Sequence, residues 1–408
     1  MAVVQPFRAL RALPSRAADI AAPPYDVLSS EEARALAAHR PFSFLRVSKP
    51  EIEFPPAIRP EDPRVYARGA KNLRRLQNEG CLLRDPQPVF HLYRQEADGH
   101  AQTGFVALAS CAEVEAGVVK RHEFTRPDKE DDRARHIETL GAQTGPAFLL
   151  FEASPVLRRA LTEGSSVPPE VDFVADDGVR HSTWTIADPE RIRAIQEAFR
   201  ALPALYIADG HHRTAAAVRL WKKFPDRSAA AGFLAVIFPA DATRILPYNR
   251  FVMDRAGLSE ETFLDRLRAV AEVQADASAT PSKKHAIAFL CGKRWRILRW
   301  KRDLLARAGT PLEQLDAALL QTHLLAPILG IADPRTSERI RFIGGIRGPR
   351  ELERLADRHP EGIAFSMHPT SVADLLAVAD RGEVMPPKST WFEPKLRDGL
   401  FSHLLDAS

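Results

Sequence analysis

Between Ala204 and Lys223 the chain passes from a short apolar stretch through Asp209-Gly210 directly into helix-forming sequence. An apolar strand that ends in Asp-Gly and opens into a helix confines the region to a strand–turn–helix unit. The glycine supplies the backbone freedom for the sharp turn. The expected elements are a strand over Ala204–Ala208 and a helix over His211–Lys223. Gly232–Phe238 is a wholly apolar run and reads as a buried central strand beside them.

The rest of the chain alternates in the same way, which predicts an α/β, mixed α+β architecture. Residues 29–39 read as a helix capped by Ser29 or Ser30, with Glu31 and Glu32 in its first turn. Phe44–Val47 reads as a strand. Val89–Tyr93, Thr103–Leu108 and Val118–Lys120 read as a meander, and 128–140 as a charged helix. Past residue 255 the texture changes: helices over 311–328, 348–358 and 370–380 alternate with strands. The expected domains are therefore 1–255 and a smaller α/β domain over 256–408. The tail 384–400, rich in Pro and aromatic residues, is expected to fold back toward the site.

Charge narrows the function classes. The 57 basic residues are nearly matched by 53 acidic ones, a net charge of +4. The chain as a whole is thus no basic nucleic-acid binder, and any functional positive field must be local. The three cysteines are far apart and in no metal spacing, which fits a reducing compartment. No segment has the length of a signal peptide's apolar region or of a membrane helix, so a cytoplasmic protein without membrane contact is expected.

The turn itself carries the chemistry. The first N–H groups of a helix lack intrahelical partners, and the helix dipole makes that end positive. His211, His212 and Arg213 in the first turn add cations where they oppose the dipole, and a bound phosphate accounts for them. Asp209, His211 and His212 are the expected catalytic groups, with Gly210, Arg213 and Thr214 holding phosphate. Asp209 is also the expected ligand for Mg²⁺. A second segment, Lys120–His136, has thirteen ionisable residues in seventeen. Its helical half reads as a solvated face. Its first half reads as a loop in which Glu123 serves as base, and His122, Arg126 and Lys129 meet phosphate oxygens. Tyr25 and Asp26 follow two rigidifying prolines. Asn249 lies in a polar turn, and Lys388, Ser389 and Thr390 lie in an extended segment. All are expected at the substrate.

Six ordered blocks, AAPPYDVLSSEEARAL, KRHEFTRPDKEDDRARH, TGPAFLL, LYIADGHHRTAAA, ILPYNRFV and MPPKSTWFEPKLRDGL, resemble the bacterial and archaeal family called domain of unknown function 1015. The resemblance covers about residues 5–402. The segment ADGHHR is also similar to the Asp-Gly-His-His-Arg element of the ParB-like superfamily, which includes free-serine kinases, the nucleotide-binding part of chromosome-partition proteins, and sulfiredoxin. That resemblance implies a ParB/serine-kinase-like core with a mixed sheet, and a phosphate site formed by Asp209, Gly210, His211, His212 and Arg213. The helix-turn-helix of partition proteins has no counterpart here, so nucleic acid is not an expected partner. The expected function is phosphoryl transfer between a donor (ATP, ADP or pyrophosphate) and a small hydroxylated metabolite, free L-serine first, giving O-phosphoserine, or the reverse dephosphorylation. The carboxylate of Glu123 or Asp26 would take the hydroxyl proton. The alternative is a nucleotide-binding switch that works through dimerisation without turnover.

Overall fold

The computed structural model describes residues 1–405 and divides into two units. The first comprises Met1–Arg121, Thr125–Thr243 and the segment from Pro394 onward; the second comprises His122–Phe124 and Arg244–Glu393. The division after Thr243 falls ahead of the expected position near residue 255. Both units mix helices and sheets, as the alternating sequence predicts.

The first unit is built on a nine-stranded mixed sheet. At one end the order runs Val119–Lys120, Leu205–Asp209, Ala147–Phe151, Gly232–Pro239, His100–Ser110 and Phe90–Ala97. The apolar run of the Gly232–Pro239 strand is central, as its composition requires, and pairs in parallel with Ala147–Phe151. Phe105, Leu149, Phe151, Phe199, Leu205 and Ile237 pack into the core over one face. Val119–Lys120 is not the third strand of a meander. It pairs in parallel with Leu205–Tyr206, because the chain leaves the hairpin through a short helix, Cys111–Glu115, and returns at the sheet edge. Parallel pairing puts the exits of Lys120 and Asp209 at the same end of the sheet.

The His211–Lys223 helix packs against the Pro127–Leu140 helix through Ala134, Ile137, Ala216 and Leu220. A separate four-stranded sheet joins Leu82–Arg84, Leu10–Ala12, Phe401–Leu404 and Ala142–Gln143, so late sequence is woven among early strands. The predicted strand at Phe44–Val47 is instead a short buried helix, Leu45–Ser48. Four residues, three of them apolar around Arg46, have no decisive period, and such a short segment suits either form.

The second unit carries a six-stranded antiparallel sheet in the order Ala271–Ala275, Arg294–Trp300, Ala286–Cys291, Ile363–Ser366, Tyr248–Val252 and Ile340–Gly344. Phe263, Phe289, Leu298, Leu320 and Phe365 form its core. The single helix expected over 311–328 is broken: an α segment, Asp316–Leu320, gives way to a π turn, Gln321–Leu325. Among the described residues no helix is long and apolar enough to cross a membrane.

Candidate functional site

The Leu205–Asp209 strand loses its regular register against Ala147–Phe151 between Ile207 and Asp209, and the irregularity re-aims the aspartate. Gly210 follows with φ 90° and caps the His211–Lys223 helix without a side-chain cap bond. A Cβ there would sit 3.1 Å from the Ala147 Cα and 3.1 Å from the Arg213 Nε, so both conformation and space demand glycine. The Thr214 amide closes the first helical turn on the Gly210 carbonyl at 2.9 Å.

Asp209 is held on every side. Its Oδ1 accepts the Gly210 amide at 2.7 Å, and its Oδ2 lies 2.6 Å from the Lys395 ammonium. The Arg213 guanidinium is 3.7 Å from Oδ1. Burial alone would raise its pKa, but Lys395 and then Arg213 outweigh that and hold the carboxyl well below its usual range. Asp209 is therefore a fixed anion rather than a proton acceptor.

Arg213 turns inward. It donates to the Pro146 carbonyl at 2.6 Å and to Asp26 Oδ2 at 3.4 Å, with only 10% of its side chain exposed. Its buried Nε has no hydrogen-bond partner among the described residues. Gly145 gives it passage, since a Cβ there would meet Arg213 Cδ at 3.4 Å and Asp398 Oδ1 at 3.0 Å. Burial opposes its charge, but Asp26 and Asp209 prevail and raise its pKa.

Behind Arg213 lies a void of about 30 Å³, room for roughly one water, lined in part by Tyr25, Ser48, Arg133, His136 and Asp398. Burial pushes the Asp398 carboxyl up to about 7, against the pull of Arg213. The Arg133 guanidinium sits 4.0 Å from the centre of the Tyr25 ring and 2.6 Å from Asp132. Burial raises the Tyr25 hydroxyl pKa, and Asp26 raises it further.

The remaining expected residues divide between the units. In the first, His211 is buried, and the half-buried His212 accepts the Arg126 amide on Nε2 at 3.1 Å. Arg126 and Lys129 are exposed, the former paired with Asp128 at 2.9 Å. In the second, His122 Nε2 is 3.3 Å from Thr390 Oγ1. Asn249 Oδ1 accepts the Met367 amide at 2.9 Å, and Ser389 Oγ donates to the Pro386 carbonyl at 2.6 Å. Lys388 lies 5.6 Å from the Tyr248 ring centre, and Glu123 lines a large cavity of that unit. These second-unit residues thus make contacts within their own unit.

Asp209 does not fit the expected Mg²⁺ site. Its oxygens face an ammonium, a guanidinium and an amide, whereas a divalent ion needs a cage of oxygens. Among the described residues no group of three His, Cys, Asp or Glu could hold a metal ion. Three members of the cluster escaped sequence reading: Arg133, Lys395 and Asp398. Lys395 and Asp398 lie in the quoted C-terminal block, which carries no local motif that singles them out.

A family model described as a protein of unknown function (DUF1015) matches residues 4–318. No curated protein matches. Solved structures similar to this chain include SbnI with a C-terminal truncation from Staphylococcus aureus, at 13% identity and a TM-score of 0.41 over 73% of this chain and 87% of that one. A free serine kinase in complex with AMP matches at 14% identity and a TM-score of 0.38, over 72% and 91%. A conserved hypothetical protein from Pyrococcus furiosus matches at 16% and 0.37, over 73% and 95%.

Proposed function

The chain belongs to the DUF1015 family, and on that footing we propose that its first unit is a phosphotransferase for a small hydroxylated metabolite, with free L-serine the first substrate to test. One observation carries the reading: the helix beginning after Gly210 has no side-chain cap bond and is flanked by Lys395 and Arg213. The positive end of a helix dipole, its first-turn amides and the fixed cations beside them together make an oxyanion cradle.

The donor is a nucleoside phosphate or pyrophosphate. Its terminal phosphate takes the first-turn amides, and Lys395 shifts from Asp209 to neutralise its oxygens. Arg213 stays as the floor of the cluster. The substrate hydroxyl oxygen attacks the terminal phosphorus, the bridging P–O bond breaks, and the hydroxyl proton passes to a carboxylate. Of the two expected bases, Asp26 belongs to the unit that holds the turn, and its side chain is 35% exposed. A second reading, nucleotide binding without transfer, draws support from the complete engagement of Asp209 in ion pairs.

The test incubates the full chain with Mg²⁺, L-serine and ATP, ADP, CTP or pyrophosphate, and measures phosphoserine. We expect product with at least one donor, and a loss of roughly 100-fold in Lys395→Met, the scale of one lost charge-stabilising donor. Nucleotide-dependent dimerisation without product would select the second reading. Absence of both product and thermal stabilisation by every donor would overturn the two together.

A further inference from the structure

The second unit contains a cavity of about 930 Å³ that the proposed reaction does not use. Its volume is at the upper end for sites that enclose a small organic ligand. The wall is mostly apolar, with Val270, Leu304, Leu312, Leu319 and Met385 among its residues.

The charges along this wall are unevenly satisfied. Asp303 pairs with Arg307 at 3.3 Å, and Asp333 with Arg335 at 2.8 Å. Glu313 accepts the amides of Gly309 and Thr310 at 2.8 and 3.1 Å. Lys301 differs: its half-buried side chain donates to the Ala269 carbonyl at 2.9 Å and makes no ion pair among the described residues. An ammonium has three donors, so two remain for a ligand.

The wall also contains a conformational irregularity. The helix widens into the π turn Gln321–Leu325, where the Ala326 amide reaches the Gln321 carbonyl at 3.1 Å. Gln321, Thr322 and His323 of that turn face the cavity region, while Leu324 and Leu325 stay in the core. The Gln321 side chain donates to the carbonyls of Ile331 and Ala332 at 2.9 and 3.1 Å and so braces the loop that completes the wall. A π turn gives up regular helical hydrogen bonding, and such turns recur where a helix is shaped around a ligand.

We propose that this cavity binds an amphipathic anion: an apolar body against the leucine, valine and methionine wall, with an acidic head on Lys301. A purely apolar ligand would leave that ammonium without a counter-charge, and a cationic one would be repelled by it.

The experiment titrates laurate into the full chain by calorimetry, with dodecyltrimethylammonium as a cation of equal tail length and inorganic phosphate as a head without a tail. Laurate is expected to bind at one site, with the other two much weaker. Lys301→Gln should weaken laurate roughly tenfold, the loss of one charge-assisted contact, without moving the melting temperature. Ala318→Trp, placed in the wall, should abolish binding by filling the space. The proposal fails if laurate does not bind, if the cation binds as tightly, or if Lys301→Gln binds laurate unchanged. Phosphoserine formation plays no part in this test, so its outcome is separate from that of the proposed transferase.

Discussion

At the Gly210 turn, Asp209 pairs with Lys395 and Arg213, and Arg213 with Asp26, while behind Arg213 lies a void of about 30 Å³ lined in part by Arg133 and Asp398. In the second unit a space of about 930 Å³ has Lys301 as its lining cation without an ion pair among the described residues. One region has charge without room, the other room behind a wall that is mostly apolar. The first is preorganised, but a ligand there must compete for bonds already made, chiefly Asp209 for Lys395. The second asks a ligand only to displace water, and its selectivity then comes from a single head group. Ionic strength should separate them: salt weakens the exposed edge of an ionic cluster far more than the burial of an apolar body.

The largest expected effect tests whether the turn's geometry is as constrained as its charges imply. Gly210→Ala forces a Cβ into left-handed backbone and against Ala147. It should cost about 3–4 kcal/mol, from the left-handed strain and the overlap together, read as a shifted denaturant midpoint. The same substitution should leave laurate binding intact.

Next comes pH. Asp398 holds its proton up to about pH 7 in the folded chain, whereas an ordinary aspartate releases it near 3.8. The folded state therefore binds this proton more tightly. Its contribution to stability is full below about pH 4 and is lost as pH rises to about 7, on the order of 4 kcal/mol. Asp398→Asn should remove that slope, checked by urea midpoints between pH 4 and 8. Asp209 has the opposite sign, since its depressed pKa gives stability that disappears only as the solution becomes strongly acidic.

Lys395→Met strands the Asp209 carboxylate beside Arg213 alone. About 2 kcal/mol should be lost, less than for a sealed pair because both side chains keep some solvent contact. Asp209→Asn in the same chain should restore part of it in a double-mutant cycle. Smallest of all, Lys129→Ala on the exposed first turn of its helix should change stability by less than about 0.5 kcal/mol. A larger effect there would mean that the charged cluster extends beyond the residues now assigned to it.

Local chemistry was the legible part of this chain. The apolar strand, the positive-φ glycine and the helix that follows are encoded within a few residues, and the structure has all three. Ser29 likewise forms the predicted cap, in a reciprocal arrangement with Glu32. What sequence could not supply was orientation across long separations. The Pro127–Leu140 helix reads as solvated because it is so charged, yet Asp132 and His136 are buried and Arg133 reaches Tyr25. Which face turns inward is decided by the partner helix, not by its own composition. The sequence points to Lys388 and not to Lys395, because nothing in the C-terminal block distinguishes one lysine from another until the strand pairing of Phe401–Leu404 fixes the segment.

That pairing bears on biogenesis. The second unit is inserted between the Thr243 end of the first and its closing segment. A ribosome that has delivered the first unit's strands must still translate the intervening segment, roughly 8 to 30 seconds of synthesis at about 5–20 residues per second. Until then the Leu10–Ala12 edge lacks its neighbour, and Asp209 lacks the lysine that neutralises it. The nascent chain thus waits with an open β edge and an unbalanced charge, the state most in need of a chaperone, while the inserted unit is free to finish first.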